Sequence, residues 1–263
     1  MDLGIKGKVA LVTAASRGLG KAAAMELARE GARVVIAARG KEDLEAAADE
    51  IRIAMGAHVL PVPADMTRAG DIEALVGAAQ AQFGDVDILV NNAGGPRPGT
   101  FTDVSDEDWL AAVNLNLMSA LRLTRLVLPG MRRRHWGRII NMTSLSVKQP
   151  LPNLILSNAV RSAVVAMAKT LSLQVAAEGI TVNNVCPGLI LTDRVRSLAA
   201  NTAQQRGITT EQALHEMQTD IPLGRLGRPE ELAALIAFLA SERAAYITGA
   251  TIQVDGGLVQ SLL

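Results

Sequence analysis

The chain is short of several things, and each shortage excludes something. Of its 263 residues only 1 is cysteine, Cys186, so no disulfide can close within it. This suits a reducing cytoplasm, the compartment expected for it. Aromatic residues make up 2% of the chain, and the single tyrosine is Tyr246, in the YITG stretch near the C-terminus, where a packing role is expected. Charge of either sign is not in excess, since 26 Lys and Arg balance 26 Asp and Glu. No global basic surplus therefore points to nucleic acid or to an anionic membrane surface, and neither is expected as a partner. No uninterrupted apolar run approaches the ~20 residues that a membrane helix needs. The opening MDLGIKGKVALVTAAS lacks a basic segment followed by a long apolar stretch, so no signal peptide is expected. Repeats, low-complexity tracts and linkers are also missing.

What is present is apolar and alternating. Hydrophobic residues make up 49% and charged residues 20%, enough for a sizeable core. Short branched apolar runs alternate with longer helical ones. KVALVT (8–13), RVVIAA (33–38), AHVLPVPA (57–64), VDILVNNA (86–93), GRIINMTS (137–144), GITVNNVCP (179–187) and ATIQVDGG (250–257) read as strands. Pro61 and Pro63 limit the ladder bonds of the third. Helices are expected over 18–32, 42–55, 71–84, 106–134, 153–177 and 229–241. Strands separated by helices imply βαβ units and one doubly wound, seven-stranded parallel sheet with helices on both faces. A single domain over 1–263 is expected. The irregular stretch 188–228 leaves the carboxyl end of a strand, the ligand side of such sheets, and reads as a substrate flap.

Two motifs carry chemistry. TAASRGLG, Thr13 to Gly20, follows the first strand and opens a helix. Small residues there let backbone approach a pyrophosphate, and the helix N-terminus favours its charge; a plain tight turn is the other reading. NNAG, Asn91 to Gly94, ends the fourth strand and begins a loop rich in glycine and proline.

Together these motifs resemble the short-chain dehydrogenase/reductase family, in its 3-oxoacyl reductase-like form. The family's TGxxxGxG is matched with Ala14 in place of the first glycine, and NNAG is matched fully. PGLILT (187–192) and the ending LGRPEELAALIAFLAS with YITGATIQVDGG match as well, so the resemblance covers essentially the whole chain. It implies a Rossmann fold, and cofactor contacts at Thr13, Ser16, Arg17, Gly18, Leu19, Gly20, Asp65, Met66, Asn92, Ala93, Gly94, Pro187, Gly188, Ile190 and Thr192. Asp65 could instead cap the next helix. The second strand ends without a carboxylate, in Arg39, and Arg17 stands in the glycine turn. Arginine pairs with a 2′-phosphate where a carboxylate would bind ribose hydroxyls, so NADP(H) is expected unless both arginines are merely solvated. No metal site is expected. The resemblance further implies a small-molecule carbonyl or alcohol substrate. It also implies a homo-oligomer, a dimer or tetramer pairing through 106–134, 153–177 and the apolar ending GLVQSLL.

The catalytic positions depart from the family. Asn114 in WLAAVNLN takes the place of the structural and proton-relay asparagine, and Ser144 that of the substrate-orienting serine. The family's tyrosine donates a proton and its lysine, four residues on, lowers that tyrosine's pKa and holds the nicotinamide ribose. Here those places hold Ser157 and Arg161. Arg161 keeps charge and donors. Ser157 is a weaker acid and shorter, so either a water fills the gap and relays the proton or the space admits a different substrate. Lys148 and His215 are other candidate donors. The reading is an NADP(H)-dependent oxidoreductase acting on a ketone or secondary alcohol; a non-catalytic cofactor-binding protein is the alternative. The basic cluster Arg132, Arg133, Arg134 and His135 complements a helix C-terminus and stays solvated.

Overall fold

A computed structural model describes residues 1–262; Leu263, the last residue of the apolar ending, lies outside the described residues. Among these, strands β1 (Val9–Thr13), β2 (Arg33–Ala38), β3 (Val59–Pro63), β4 (Ile88–Asn91), β5 (Gly137–Met142), β6 (Ile180–Pro187) and β7 (Thr251–Val254) form one sheet. Its order is β3-β2-β1-β4-β5-β6-β7. Every pairing is parallel, as in Leu11↔Val35, Leu11↔Leu89 and Asn141↔Asn184. The prolines of β3 are tolerated because β3 is an edge, paired with β2 alone.

The helices are α1 (Gly18–Arg29), α2 (Lys41–Met55), α3 (Ala69–Phe83), α4 (Asp106–Ala112), α5 (Ser119–Arg134), α6 (Ile155–Val175), α7 (Asp193–Arg206), α8 (Thr210–Thr219) and α9 (Pro229–Leu239). The strands are apolar on both faces because helices cover both. Ala10, Val12, Val34 and Ile36 point to the side of α1, α2 and α9. Val9, Leu11, Val35 and Leu89 point to the side of α3, α5 and α6. The alternation along each strand thus splits one apolar run between two cores.

A polar row crosses the sheet near its carboxyl edge. Asn91 Nδ2 donates to Asn141 Oδ1 (2.9 Å), Asn141 Nδ2 to Asn184 Oδ1 (3.0 Å), and Asn184 Nδ2 to Thr251 Oγ1 (3.1 Å). The row runs through the registered neighbours of β4, β5, β6 and β7. Its donors all point one way, which leaves Asn91 Oδ1 at the head without a donor among the described residues.

Four expectations need correction. The stretch 106–134 is not one α-helix: residues Val113–Met118 form a wider π-helical turn between α4 and α5. Such a turn rotates the side chains it carries and recurs at functional sites. The stretch 188–228 is mostly helical, as α7 and α8. Small residues Ala199, Ala203 and Ala213 let the two helices pack, a capping box of Thr209 and Gln212 starts α8, and Gly207 ends α7. Its base is tied by Leu191 N–H to Gly227 O (2.8 Å) and Gly227 N–H to Leu189 O (3.0 Å). Tyr246 does not pack within the chain, since it is fully exposed beyond the short turn Glu242–Ala244. The basic cluster is ion-paired rather than only solvated: Arg132 meets Glu178, and Arg133 and Arg134 share Asp85.

Ala14 carries the one glycine-like strain in the first turn, with φ at 48°. A β-carbon in the left-handed region costs about 1–2 kcal/mol, and glycine's extra freedom when unfolded offsets roughly 0.4–1 of this. Ala14→Gly should therefore stabilise the protein by about 0.5–1 kcal/mol, raising the thermal midpoint by ~1–4 °C in calorimetry. A lower midpoint would show that the turn suits alanine.

Candidate active site

In this strand order β1 and β4 are neighbours whose connecting helices leave to opposite sides, so a crevice opens beyond their carboxyl ends. Several of the residues singled out from the sequence converge there from both sides. Thr13 Oγ1 donates to Asn92 O (2.7 Å) and accepts from Asn92 N–H (2.9 Å), which locks the glycine turn to the NNAG loop. Asn92 Nδ2 also donates to Ala14 O (3.3 Å). Gly20 permits this closeness: a β-carbon on it would stand 2.3 Å from Ala14 O and 2.7 Å from Asn92 Nδ2. Gly18, at φ +58°, supplies the left-handed residue that opens α1.

Three parts of this crevice bear on what it can hold. The N-terminus of α1 has no side-chain cap, so its first N–H groups face outward from the turn. Arg17 and Arg39 are exposed and make no side-chain hydrogen bond or ion pair among the described residues. At Gly94, a β-carbon would meet nothing within 4 Å. Asp65 and buried Met66 follow β3. Asp65 Oδ1 accepts from Thr67 N–H (2.9 Å) and Thr67 Oγ1 (2.8 Å). Those bonds, with the nearby charge of Arg39, hold its carboxyl below the usual carboxylate range. Asp65 thus shapes the turn ahead of α3, and its Oδ2 has no donor among the described residues. Pro187 ends β6, and Gly188 N–H bonds Val254 O (3.0 Å). Ile190 is buried, and Thr192 lies over Gly18, 3.7 Å from where its β-carbon would be.

Three of the positions expected to be catalytic gather at the end of β5 and the start of α6. Ser144 is extended and half-buried, and its Oγ accepts from Ser146 N–H (3.1 Å). Ser157 lies in the first turns of α6, buried, with its hydroxyl 3.3 Å from that of Ser146. One turn later Arg161 is buried as well, and its guanidinium reaches backbone rather than carboxylate. Nη1 donates to Met142 O (3.0 Å) and Thr143 O (2.9 Å), and Nη2 to Ala93 O (3.3 Å). Three of its five N–H donors are thus used. Burial, then repulsion from Arg194, draws its pKa down to about 10, so it remains a cation at neutral pH. Burial pushes the Cys186 thiol up, which keeps this neighbour neutral. Lys148 is half-buried at the end of the short turn after Ser144. His215 lies exposed on α8.

Asn114 does not join this group. Its Nδ2 donates to Thr67 O (2.9 Å) and its Oδ1 accepts from Arg122 Nη1 (2.8 Å), outside the crevice. Asn116 takes the inward position two residues on. It is buried, its Nδ2 donates to Gly94 O (3.0 Å), and its Oδ1 has no donor among the described residues. Helical periodicity could have found it: Ala112, Asn116, Ala120 and Leu123 share the buried stripe, and Asn114 does not. Asn116, Asn91, Ser119, Asn141 and Arg161 line a cavity of about 20 Å³, room for about one water. Among the described residues no group of three His, Cys, Asp or Glu could hold a metal ion. No helix among them is long and apolar enough to cross a membrane.

The arrangement has close relatives. A family model described as enoyl-(acyl carrier protein) reductase matches residues 13–259. D-beta-hydroxybutyrate dehydrogenase of Cupriavidus necator is 40% identical over 257 residues, 97% of this chain and 99% of the relative. The 3-oxoacyl-[acyl-carrier-protein] reductase of Vibrio cholerae is 40% identical over 258 residues, 97% and 99% of the two chains. L-sorbose reductase of Gluconobacter frateurii, solved with NADPH and L-sorbose, superposes with a TM-score of 0.96 at 38% identity, covering 100% of both chains.

The lowered pKa of Arg161 fixes the sign of a stability effect. Between about 10 and the ordinary arginine value the unfolded chain binds more protons at this residue, so stability rises with pH there. Denaturant unfolding of the wild type and of Arg161→Met should diverge above about pH 9, the wild type gaining relative to the variant. A constant difference from about pH 9 to 11 would show that the guanidinium is not desolvated.

Proposed function

The chain belongs to the short-chain dehydrogenase/reductase family, and from that premise we propose that it is an NADP(H)-dependent oxidoreductase interconverting a ketone, including a 3-oxoacyl group, and a secondary alcohol, with an altered proton-donor site. The observation that carries this reading is Arg161: a buried cation, one turn after Ser157, bonded to the NNAG loop and to the end of β5. A charge kept there at the expense of desolvation is expected where negative charge develops on a substrate oxygen.

The crevice suits a dinucleotide with a 2′-phosphate. The uncapped N-terminus of α1 favours the pyrophosphate, and the open space at Gly94 admits its sugar. Arg17 and Arg39, exposed and unpaired, suit the 2′-phosphate. Thr13, Ser16, Gly18, Leu19, Gly20, Asp65, Met66, Asn92, Ala93, Pro187, Gly188, Ile190 and Thr192 would complete the cradle. When bound, NADPH supplies the hydride.

The chain's own residues then bind the carbonyl and manage one proton. Ser144 donates a hydrogen bond to the carbonyl oxygen. Arg161 stabilises the negative oxygen through charge and its remaining donors. Ser157 is too short to reach that oxygen and is bound to Ser146, so a water beside it carries the proton. Asn116 takes the role expected of Asn114. Its free Oδ1 and that of Asn91 would hold a water in the small cavity against Arg161, a reserve from which the proton is replaced. The hairpin of α7 and α8 acts as the substrate flap. Exposed Leu110 on α4 and Leu173 on α6 support pairing of copies through these helices.

Purified protein should bind NADPH and oxidise it with members of a panel of simple ketones and 3-oxoacyl thioesters. Asn116→Ala should lower kcat/KM by about 10²-fold, and Arg39→Asp should turn the preference from NADPH towards NADH. If the protein binds NADPH but is silent across the panel, and Ser157→Tyr with Arg161→Lys creates activity, the native chain is a binding protein. Tighter binding of NADH than NADPH by the wild type would overturn the role of the arginines.

A further inference from the structure

A second arginine stands at the mouth of the site with no assigned task. Arg194 is in the first turn of α7, and its guanidinium crosses from the flap to the loop after β4. There it lies on Gly95: a β-carbon on that glycine would be 2.6 Å from Nη2, 2.8 Å from Nη1 and 3.0 Å from Cζ. It is near enough to Arg161 for the two charges to repel. Lys148 adds a third cation, close enough to act on Cys186 together with Arg161.

Among the described residues no carboxylate forms an ion pair with Arg194, Arg161 or Lys148, whereas Arg97, on the same loop as Gly95, is paired with Asp108. Asp193 precedes Arg194, but consecutive helical residues do not face one another. Asp255 is turned to the backbone, accepting from Gly257 N–H (3.0 Å) and Val259 N–H (2.8 Å). The glycine at 95 leaves room for the guanidinium to lie across the mouth. An arginine without an ion pair at this mouth, with a second cation near enough to repel it, fits an anionic ligand, because a carboxylate can take two parallel N–H donors from one guanidinium fork.

We propose that the substrate is an oxo acid, or the matching hydroxy acid, whose free carboxylate is bound by Arg194 of the flap, with Lys148 adding to the attracting field. This rests on the reductase reading for the crevice and goes further by naming the substrate class. It places the carboxylate on the flap side of the reacting carbonyl, so the charge that anchors the substrate also draws α7 over it.

The test is calorimetric titration of the full chain saturated with NADP⁺, which binds without turning over oxo acids. The probes are 3-oxo acids of increasing chain length, each beside its methyl ester. At least one acid should bind about 10-fold more tightly than its ester, the scale of one hydrogen bond to a charged group. Arg194→Gln should reduce that preference to within about 3-fold while leaving NADPH affinity within about 2-fold. Gly95→Ala, which displaces the guanidinium and keeps its charge, should weaken the acid in the same direction. Equal affinity for acids and esters, or no binding of either across the panel, overturns the proposal. So does loss of NADPH affinity by more than about 5-fold in Arg194→Gln, which would assign the arginine to the cofactor's phosphates. Turnover is not read in this titration. A protein that prefers acids yet never oxidises NADPH keeps the anion site and loses the reductase reading; an active one without the preference loses only the anion site.

Discussion

A single buried guanidinium ties the site together. Arg161 leaves α6 and clasps three carbonyls, of Ala93 in the loop after β4 and of Met142 and Thr143 at the end of β5. Taking such a charge out of water costs several kcal/mol, which carbonyl dipoles recover only when their geometry is held. The helix, the strand end and the loop are therefore fixed relative to one another by the same contact that places the cation. A lysine could not do this in the same way. Its ammonium is one point with three donors, whereas the guanidinium is a rigid fork reaching three carbonyls on two elements at once. An arginine where the resemblance expects a lysine thus keeps the charge of the site and changes how its surrounding segments are held.

Ser157, where the resemblance expects a phenol, reads differently once its surroundings are known. Ser157 is not a free hydroxyl facing substrate. It is bonded to Ser146, whose own N–H is held by Ser144, so three serines form one chain of hydrogen bonds beside the crevice. The polar reserve of the site lies deeper. The asparagine row across β4 to β7 leaves an unpaired acceptor at Asn91, and the π turn presents another at Asn116. Both border the water-sized cavity next to Arg161. Proton supply by water is consistent with a site that retains charge and acceptors but no side-chain acid of phenolic strength.

Much of this was legible in the residues. The period of two in the strands, the alternation with helices and the two small-residue turns are local patterns, and they located the sheet, the crevice and most of its lining. Legibility ended where side-chain direction was needed. Asn114 and Asn116 are equally good asparagines in sequence. The wider turn at Val113–Met118 aims one at Gly94 O and the other at Thr67 O. The helices of 188–228 were hidden because their stabilisation comes from alanine packing within a hairpin, with little amphipathic pattern to show it. Tyr246 reads as a packing residue by type, yet it stands fully in solvent.

The sequence by itself determined the fold class and the family, and it set Ser157 and Arg161 one turn apart on one helix. These depend on local propensity, hydrophobic period and spacing along one helix, all of which are properties of neighbouring residues. Only the tertiary structure decided which asparagine turns inward, how Arg161 is held and that Arg194 reaches Gly95 from α7. Those facts depend on distances between segments from 18 to 99 residues apart in the chain, which burial and the register of the sheet set and no local pattern encodes.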